Sequence, residues 1–533
     1  MQPGRKFIVG VGCPRGELFD SRRRFTITIC DSIRDAGAPG GRGPEAVLGP
    51  AFLRFCQSRY RLELPSVTRG CRRKRRLPRM ASHLPLPPEV AAAAVAEMDR
   101  LQVPGLAVAV FHEGKVYAGG FGVTNVDHPL PVGADTLFQV GSTSKTFTAT
   151  ALMQLVEEGL LELEAPVRRY LPAFRLQSEE DAAGLTVRHL VTHHGGFVGD
   201  YFRDTGRGDD ALEKILAKMA NSPQLIPAGS AFSYSNAGFY VLGHIVATLR
   251  GLPFETVIRE RIFAPLGMEH SMYFAEEAIV HSVAAGHIVT SEGPKVATPW
   301  HTPRSIAPGG GISSTVVDQI AYAAMHLNEG RSAAGAAVLR PESAAFMQAP
   351  LAVAGGMCES IGVSWMLDGV GRDRMVKHGG ATNGQMSSFE LFPGHNFAVT
   401  VLTNSDTGRI ARNTVADACK RHFIGWQTAA VVPMQAQPGL AEYAGNYQSV
   451  LARLEVSVGA NGLIATDSTP ERSFAERRHR PLPPEPVDLV FVATDATVVV
   501  SGSHAGEHSE FLRGDDGRIA WMRWDGRIAR RLE

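Results

Sequence analysis

Two pairs of β-forming runs, one beginning at residue 105 and the other ending at residue 402, constrain this chain more than any other feature. Residues 105–111 (GLAVAVF) are continuously apolar, the pattern of a buried strand. After the turn-like His112-Glu113-Gly114-Lys115 the chain returns through residues 116–122 as the second arm of a hairpin. Residues 386–392 and 397–402 repeat the pattern around Pro393-Gly394. Between the pairs the period turns helical. Ala149, Leu152, Leu155 and Val156 follow Gly141-Ser142-Thr143-Ser144-Lys145 and stop at Gly159, which puts Ser142 at a helix start. An Ala-rich helix over 89–101 precedes the first pair, and helical stretches recur at 187–192, 240–249, 254–262 and 316–327. An antiparallel sheet flanked by a helical insert fits this order.

Beyond residue 430 the composition changes. Residues 431–438 are Pro/Gln-rich and read as a linker, and residues 439–533 carry short β-like runs at 454–458, 463–466, 489–493, 497–500, 510–512 and 519–524. Asn461-Gly462, Asp515-Asp516-Gly517 and Asp525-Gly526 supply turns between them, so this is a small all-β domain. It is expected to modulate access or assembly rather than chemistry. The 533 residues suit two to four units, 44% hydrophobic and 20% charged residues suit a soluble globular protein, and no run reaches the length of a membrane helix.

A formal net charge of +1 conceals a split at residue 80. Residues 1–80 hold 18 Lys and Arg against 6 Asp and Glu, whereas residues 81–533 hold 36 against 47. The basic leader also has four of the six cysteines, leaving Cys358 and Cys419 for the body, which argues against a disulfide framework there. Its only apolar stretch near the start, residues 7–12, is shorter than a signal-peptide core. The cluster at residues 72–76 would suit an import receptor or nucleic acid, but a poorly ordered extension ahead of Met80 is the expectation. Gly10-Val11-Gly12 imitates a dinucleotide loop without its third glycine or its helix.

Ser142 and Lys145 stand three apart, so both project from one helix face. A serine hydroxyl needs a base within reach; an amine one turn away, neutral when buried, can take its proton. The helix N-terminus adds N–H groups where a carbonyl oxygen becomes negative. A capping serine beside a surface lysine has the same spacing, so the motif gains weight only from its company. Tyr234-Ser235-Asn236 follows the turn Pro227-Ala228-Gly229, and His378-Gly379-Gly380 precedes a predicted strand. Together the three motifs resemble those of the serine β-lactamase and penicillin-binding-protein superfamily, in the Tyr-x-Asn form of its class C branch. The phrases TVRHLVTH (186–193), FSYSNAGF (232–239), IFAPLGM (262–268), GGISS (310–314) and VLTNS (401–405) are similar too, and the resemblance spans residues 88–425.

That resemblance implies a β-lactamase/transpeptidase-like α/β fold of the α+β type, with an antiparallel sheet, flanking helices and a helical lobe, over residues 81–430. The phrase Tyr443-Ala444-Gly445-Asn446-Tyr447 is similar to the start of the lipocalin-like barrels that follow some of these hydrolases. Residue by residue, it implies Ser142 as acylated nucleophile, Lys145 and Tyr234 sharing its proton with either as base, and Asn236 holding Lys145 and touching substrate. The backbone N–H groups of Ser142 and Ala381 would form the oxyanion hole. The third motif departs from Lys-Thr-Gly. Either His378, with Gly379 and Gly380, or the preceding Lys377 faces the site, since neighbours on a strand point opposite ways; the Gly-Gly after His378 favours His378 and resembles the esterase, D-aminopeptidase and mitochondrial lactamase-like branches.

His189 and His193 lack the His-Glu-x-x-His pattern of a zinc site, Asp318 reads as a helix-start acid, and no Gly-x-Ser-x-Gly elbow is present. The expectation is a serine hydrolase acting on short-chain carboxylic esters, with β-lactamase or D-amino-acid peptidase activity, or a silent scaffold, as the alternatives. No cofactor or metal is expected. The partner is a small-molecule ester, lactam or peptide substrate, not nucleic acid or membrane; a homo-oligomer stays open, and the location is expected to be cytoplasmic, with an organellar transit peptide in the acid-poor, Arg-rich leader as the alternative.

Overall fold

The first hairpin and the late one do share a sheet. In a computed structural model that describes residues 83–427, 431–434, 439–468 and 485–532, strands β1 (Gly105–His112) and β2 (Lys115–Gly122) join β3 (Ala352–Val353), β4 (Ser360–Ile361), β5 (Met366–Asp368), β6 (Met375–Thr382), β7 (Gln385–Phe392) and β8 (Phe397–Thr403) in the antiparallel order β2-β1-β8-β7-β6-β5-β4-β3. Val108 of β1 lies opposite Val401 of β8, so the two ends of this region pair at the centre of the sheet. Residues 1–82 lie outside the described residues, as do 435–438 of the expected linker.

Alternation sorts β1 between two cores. Leu106, Val108 and Val110 pack with Val399 and Val401 beneath helices α1 (Pro88–Leu101) and α5 (Gly408–Ile424), while Ala107 and Ala109 face the helical insert. Both faces are covered, which is why this strand reads as unbroken apolar sequence. Each fully buried valine or leucine here is worth roughly 1.5–3 kcal/mol.

The insert centres on helix α2 (Ser144–Glu157), whose residues from Ser144 to Leu155 are all buried. Its threonines are satisfied internally: Thr148 donates to the Pro308 carbonyl at 2.7 Å and Thr150 pairs with the Tyr322 hydroxyl at 2.8 Å. Helix α3 (Asn236–Arg250) packs against α2 and carries Asn236, and Tyr322 of α4 (Val316–Leu327) stacks on Phe147 of α2. No single helix among the described residues is long and apolar enough to cross a membrane.

The C-terminal region closes into an eight-stranded antiparallel barrel of β9 (Gly445–Gln448), β10 (Arg453–Val458), β11 (Leu463–Asp467), β12 (Val487–Ala493), β13 (Ala496–Val499), β14 (His508–Arg513), β15 (Ile519–Trp524) and β16 (Arg527–Leu532). Pairing of β9 with β16 closes it. Side chains including Tyr443, Tyr447, Leu454, Phe491, Phe511 and Met522 form its core, as expected for a barrel of this size.

Candidate active site

Ser142 occupies a 3₁₀ turn, Gly141–Thr143, that runs directly into α2. Gly141 has a φ of +53° and a Cβ there would come within 2.7 Å of the Ala381 nitrogen. A Cβ on Gly380 would lie 2.0 Å from the Val140 carbonyl and 2.8 Å from the Ser142 nitrogen. Two bare backbones are therefore needed for the helix start to press against β6, and their approach gathers the backbone nitrogens of Ser142 and Ala381. Arg412 of α5 donates to the Gly380 carbonyl at 2.8 Å and braces this part of β6.

Lys145 is fully buried. Its Nζ lies 2.5 Å from Asn236 Oδ1, 2.6 Å from the Gly309 carbonyl and 3.1 Å from Ser142 Oγ. The first two partners only accept, so a neutral amine would give them both of its hydrogens and turn its lone pair to the Ser142 hydroxyl. Burial and the nearby Arg527 hold the Lys145 pKa well below the usual 10.5, against an upward pull from Asp200. Asn236 is oriented by its other end, where Nδ2 donates to Asp200 Oδ1 at 2.6 Å.

Tyr234 and Asn236 flank Ser235, whose hydroxyl accepts from the Gly238 N–H at 2.9 Å and so caps α3. The Tyr234 ring stacks on His193 with centroids 4.4 Å apart, and Lys145 Nζ lies 4.9 Å from its centre. Burial pushes the phenol well above its usual value, opposed by its hydrogen bond with Ser142 and by Arg527. At neutral pH it is a proton donor.

The motif His378-Gly379-Gly380 precedes β7, as expected, and itself lies within a further strand, since β6 begins at Met375. His378 is buried with its ring 6.2 Å from that of Tyr234, whereas Lys377 pairs with Asp368 of β5. The His378 Nδ1 lies 2.7 Å from the Gly379 carbonyl and must carry the proton, leaving a buried Nε2 without a partner among the described residues. Burial, with Lys145 nearby, lowers its pKa to about 3, so the imidazole is neutral.

His189 and His193, four apart in the sequence, do separate structural work. His189 Nδ1 accepts from the Thr186 N–H at 3.3 Å in a capping box, and His193 Nδ1 accepts from the Ser235 N–H at 3.0 Å. Asp318, in the first turn of α4, accepts from the His270 N–H and the Ser271 hydroxyl and does not join the cluster around Ser142.

The barrel reaches this cluster directly. Its Asp525-Gly526 turn reaches Tyr234, whose N–H donates to the Gly526 carbonyl at 2.8 Å, and the Arg527 guanidinium lies 4.6 Å from the centre of the Tyr234 ring. Arg527 Nε also donates to Asp200 Oδ2 at 3.2 Å. Asp200 and Arg527 escaped the sequence reading. The Asp525-Gly526 turn was visible, but nothing local marks the arginine after it as a neighbour of Tyr234.

The Beta-lactamase family model matches residues 90–418. Penicillin-binding protein 4 of Amycolatopsis lactamdurans is 35% identical over 361 residues, covering 65% of this chain and 93% of that protein. The crystal structure of SurE superposes with a TM-score of 0.65 at 25% identity, covering 83% of this chain and 98% of that one. D-amino acid amidase from Ochrobactrum anthropi SV3 superposes with a TM-score of 0.53 over 63% of this chain and 99% of its own; at 22% identity this likeness is one of fold.

Proposed function

The chain belongs to the Beta-lactamase family, and we propose that it is a serine hydrolase of that family whose preferred substrates are short-chain, uncharged carboxylic esters. The observation that carries the acyl-transfer reading is Lys145: a buried amine with no carboxylate in contact among the described residues, 3.1 Å from the Ser142 hydroxyl. In acylation, Ser142 Oγ attacks the ester carbonyl as its proton passes to Lys145. The carbonyl oxygen becomes negative against the N–H groups of Ser142 and Ala381. Collapse breaks the bond to the alkoxy oxygen, which takes the Tyr234 proton and leaves as the alcohol, and Lys145 returns a proton to Tyr234. Water then adds to the acyl-enzyme by the same route, releasing the acid and restoring Ser142. Lys145 and Tyr234 meet at one hydroxyl, so their titrations belong to the pair.

Substrate preference rests on charge. Neutral His378 has no cation for a substrate carboxylate, Lys377 is paired with Asp368, and Arg527 is held by Asp200 and Asp525. A β-lactam or peptide C-terminus would bring a carboxylate for which these cations, among the described residues, are not free. The names of the relatives favour a second reading, hydrolysis of amides or lactams at the same serine.

The test compares kcat/KM for p-nitrophenyl butyrate and nitrocefin in the wild type, His378→Lys and Lys377→Ala. The ester should win in the wild type, and His378→Lys should shift preference toward nitrocefin. If nitrocefin is already the better substrate, or if Lys377→Ala alone removes lactam turnover, the ester reading is wrong. A fluorophosphonate probe should label Ser142 and EDTA should leave activity untouched; labelling that survives Ser142→Ala would end the serine mechanism.

A further inference from the structure

We propose that Arg527 of the barrel is a positioning residue for the general base, acting through Asp200 and Asn236 on Lys145. The inference rests on the acyl-transfer reading and adds that the barrel tunes it. The contacts run without a gap. Arg527 Nε donates to Asp200 Oδ2 at 3.2 Å, Asp200 Oδ1 accepts from Asn236 Nδ2 at 2.6 Å, and Asn236 Oδ1 lies 2.5 Å from Lys145 Nζ. Asp200 is the critical link. It is a buried carboxylate one amide away from Lys145, and left to itself it would favour the ammonium, which cannot take a proton from Ser142. The guanidinium of Arg527 opposes that charge across the carboxylate's other oxygen. It reaches this place because the barrel turn before it is bound to the Tyr234 backbone, and because Asp525 holds its Nη1 at 2.9 Å.

The electrostatic surroundings of Lys145 come from several elements. Tyr234 and Asp200 lie in the loops before α3, Tyr240 lies on α3, His193 follows the capping-box helix, His378 is on β6 and Arg527 opens β16. The histidines are held neutral by burial and the phenols are held protonated. Asp200 and Arg527 are left as the opposed charges that act on the amine.

The test measures the rate of fluorophosphonate labelling of Ser142 against pH in the full chain. Arg527→Met should leave Asp200 unopposed, moving the acid limb up by about one pH unit and slowing labelling about tenfold at pH values on that limb. Asp200→Asn keeps an acceptor for Asn236 but removes the charge, and should move the limb down. Arg527→Lys keeps the charge and should hold the limb within about 0.3 unit of wild type. An acid limb unmoved in both Arg527→Met and Asp200→Asn overturns the proposal, even if KM changes. If Arg527→Met loses its thermal transition, Asp200→Asn decides alone: a downward shift supports the relay and no shift refutes it. Labelling that persists in Ser142→Ala would refute the underlying serine reading instead, so the two failures are distinct.

Discussion

Two buried lysines on opposite faces of the sheet have contrary fates. Lys420, on α5, lies between Glu390 of β7 at 2.8 Å and Asp417 at 2.7 Å, and these carboxylates outweigh its burial and raise its pKa. Lys145, on α2, has as its hydrogen-bond partners among the described residues an amide oxygen, a backbone carbonyl and a serine hydroxyl, so burial prevails and its pKa falls. Burial alone makes neither a structural cation nor a base. The contacting oxygens decide: formal negative charge keeps the ammonium, whereas neutral dipoles orient the amine without fixing its proton.

The strongest challenge to that contrast is to remove Lys145 or the serine it faces. Ser142→Ala or Lys145→Met should lower kcat/KM by about 10³-fold or more while circular dichroism stays native. A Lys145→Met enzyme with near-normal turnover would make Lys145 merely structural, like Lys420. Next, Gly380→Ala should force β6 away from Val140 and Ser142 and lower kcat by about 10²-fold, as expected when an oxyanion donor is misplaced. An unchanged kcat would remove Ala381 from the oxyanion hole.

The pH dependence separates the lysines more finely. Lys145 must be neutral to act, so kcat/KM should rise as pH climbs through its lowered pKa, by about tenfold per unit at most, and then level off. A profile with no acid limb at any pH where the protein stays folded, with chemistry rate-limiting, would contradict the assignment. For stability the signs oppose each other. Lys145 binds fewer protons folded than unfolded between its lowered pKa and 10.5, so its contribution improves with pH across that window. Lys420 has a raised folded pKa, so its stabilisation is complete below 10.5 and is lost as pH rises through the folded value. Lys420→Met should accordingly cost about 3 kcal/mol, by stranding Glu390, and leave the activity profile of the folded fraction unmoved. The smallest effect should come from Lys377→Ala, which breaks a partly exposed pair with Asp368: under about 1 kcal/mol in a denaturant titration, with ester turnover within about twofold of wild type.

Legibility followed the range of the interactions. Helix α4 has the bounds read from its apolar period, and β1 and β8 differ from theirs by one residue, because side-chain periodicity is local. Helix α5 was not visible: its buried stripe is Ala411, Val415, Ala418 and Cys419, small residues among many charges. Strand β16, RIARRL, was missed because Ile528 and Ala529 are both buried and its arginines break the alternation.

The same division runs through the site. Ser142 and Lys145 needed only the helical repeat to share a face, and the family phrases in order brought Tyr234, Asn236 and His378 into one constellation. What no local pattern contains is the pairing of Asp200 with Arg527, 327 residues apart. A sequence determines the period of its elements and the chemistry its side chains can offer; which charges end up side by side is decided by the packing of barrel on hydrolase domain. The proton on Lys145 answers to the sum of those charges, a quantity that exists only once the chain has folded.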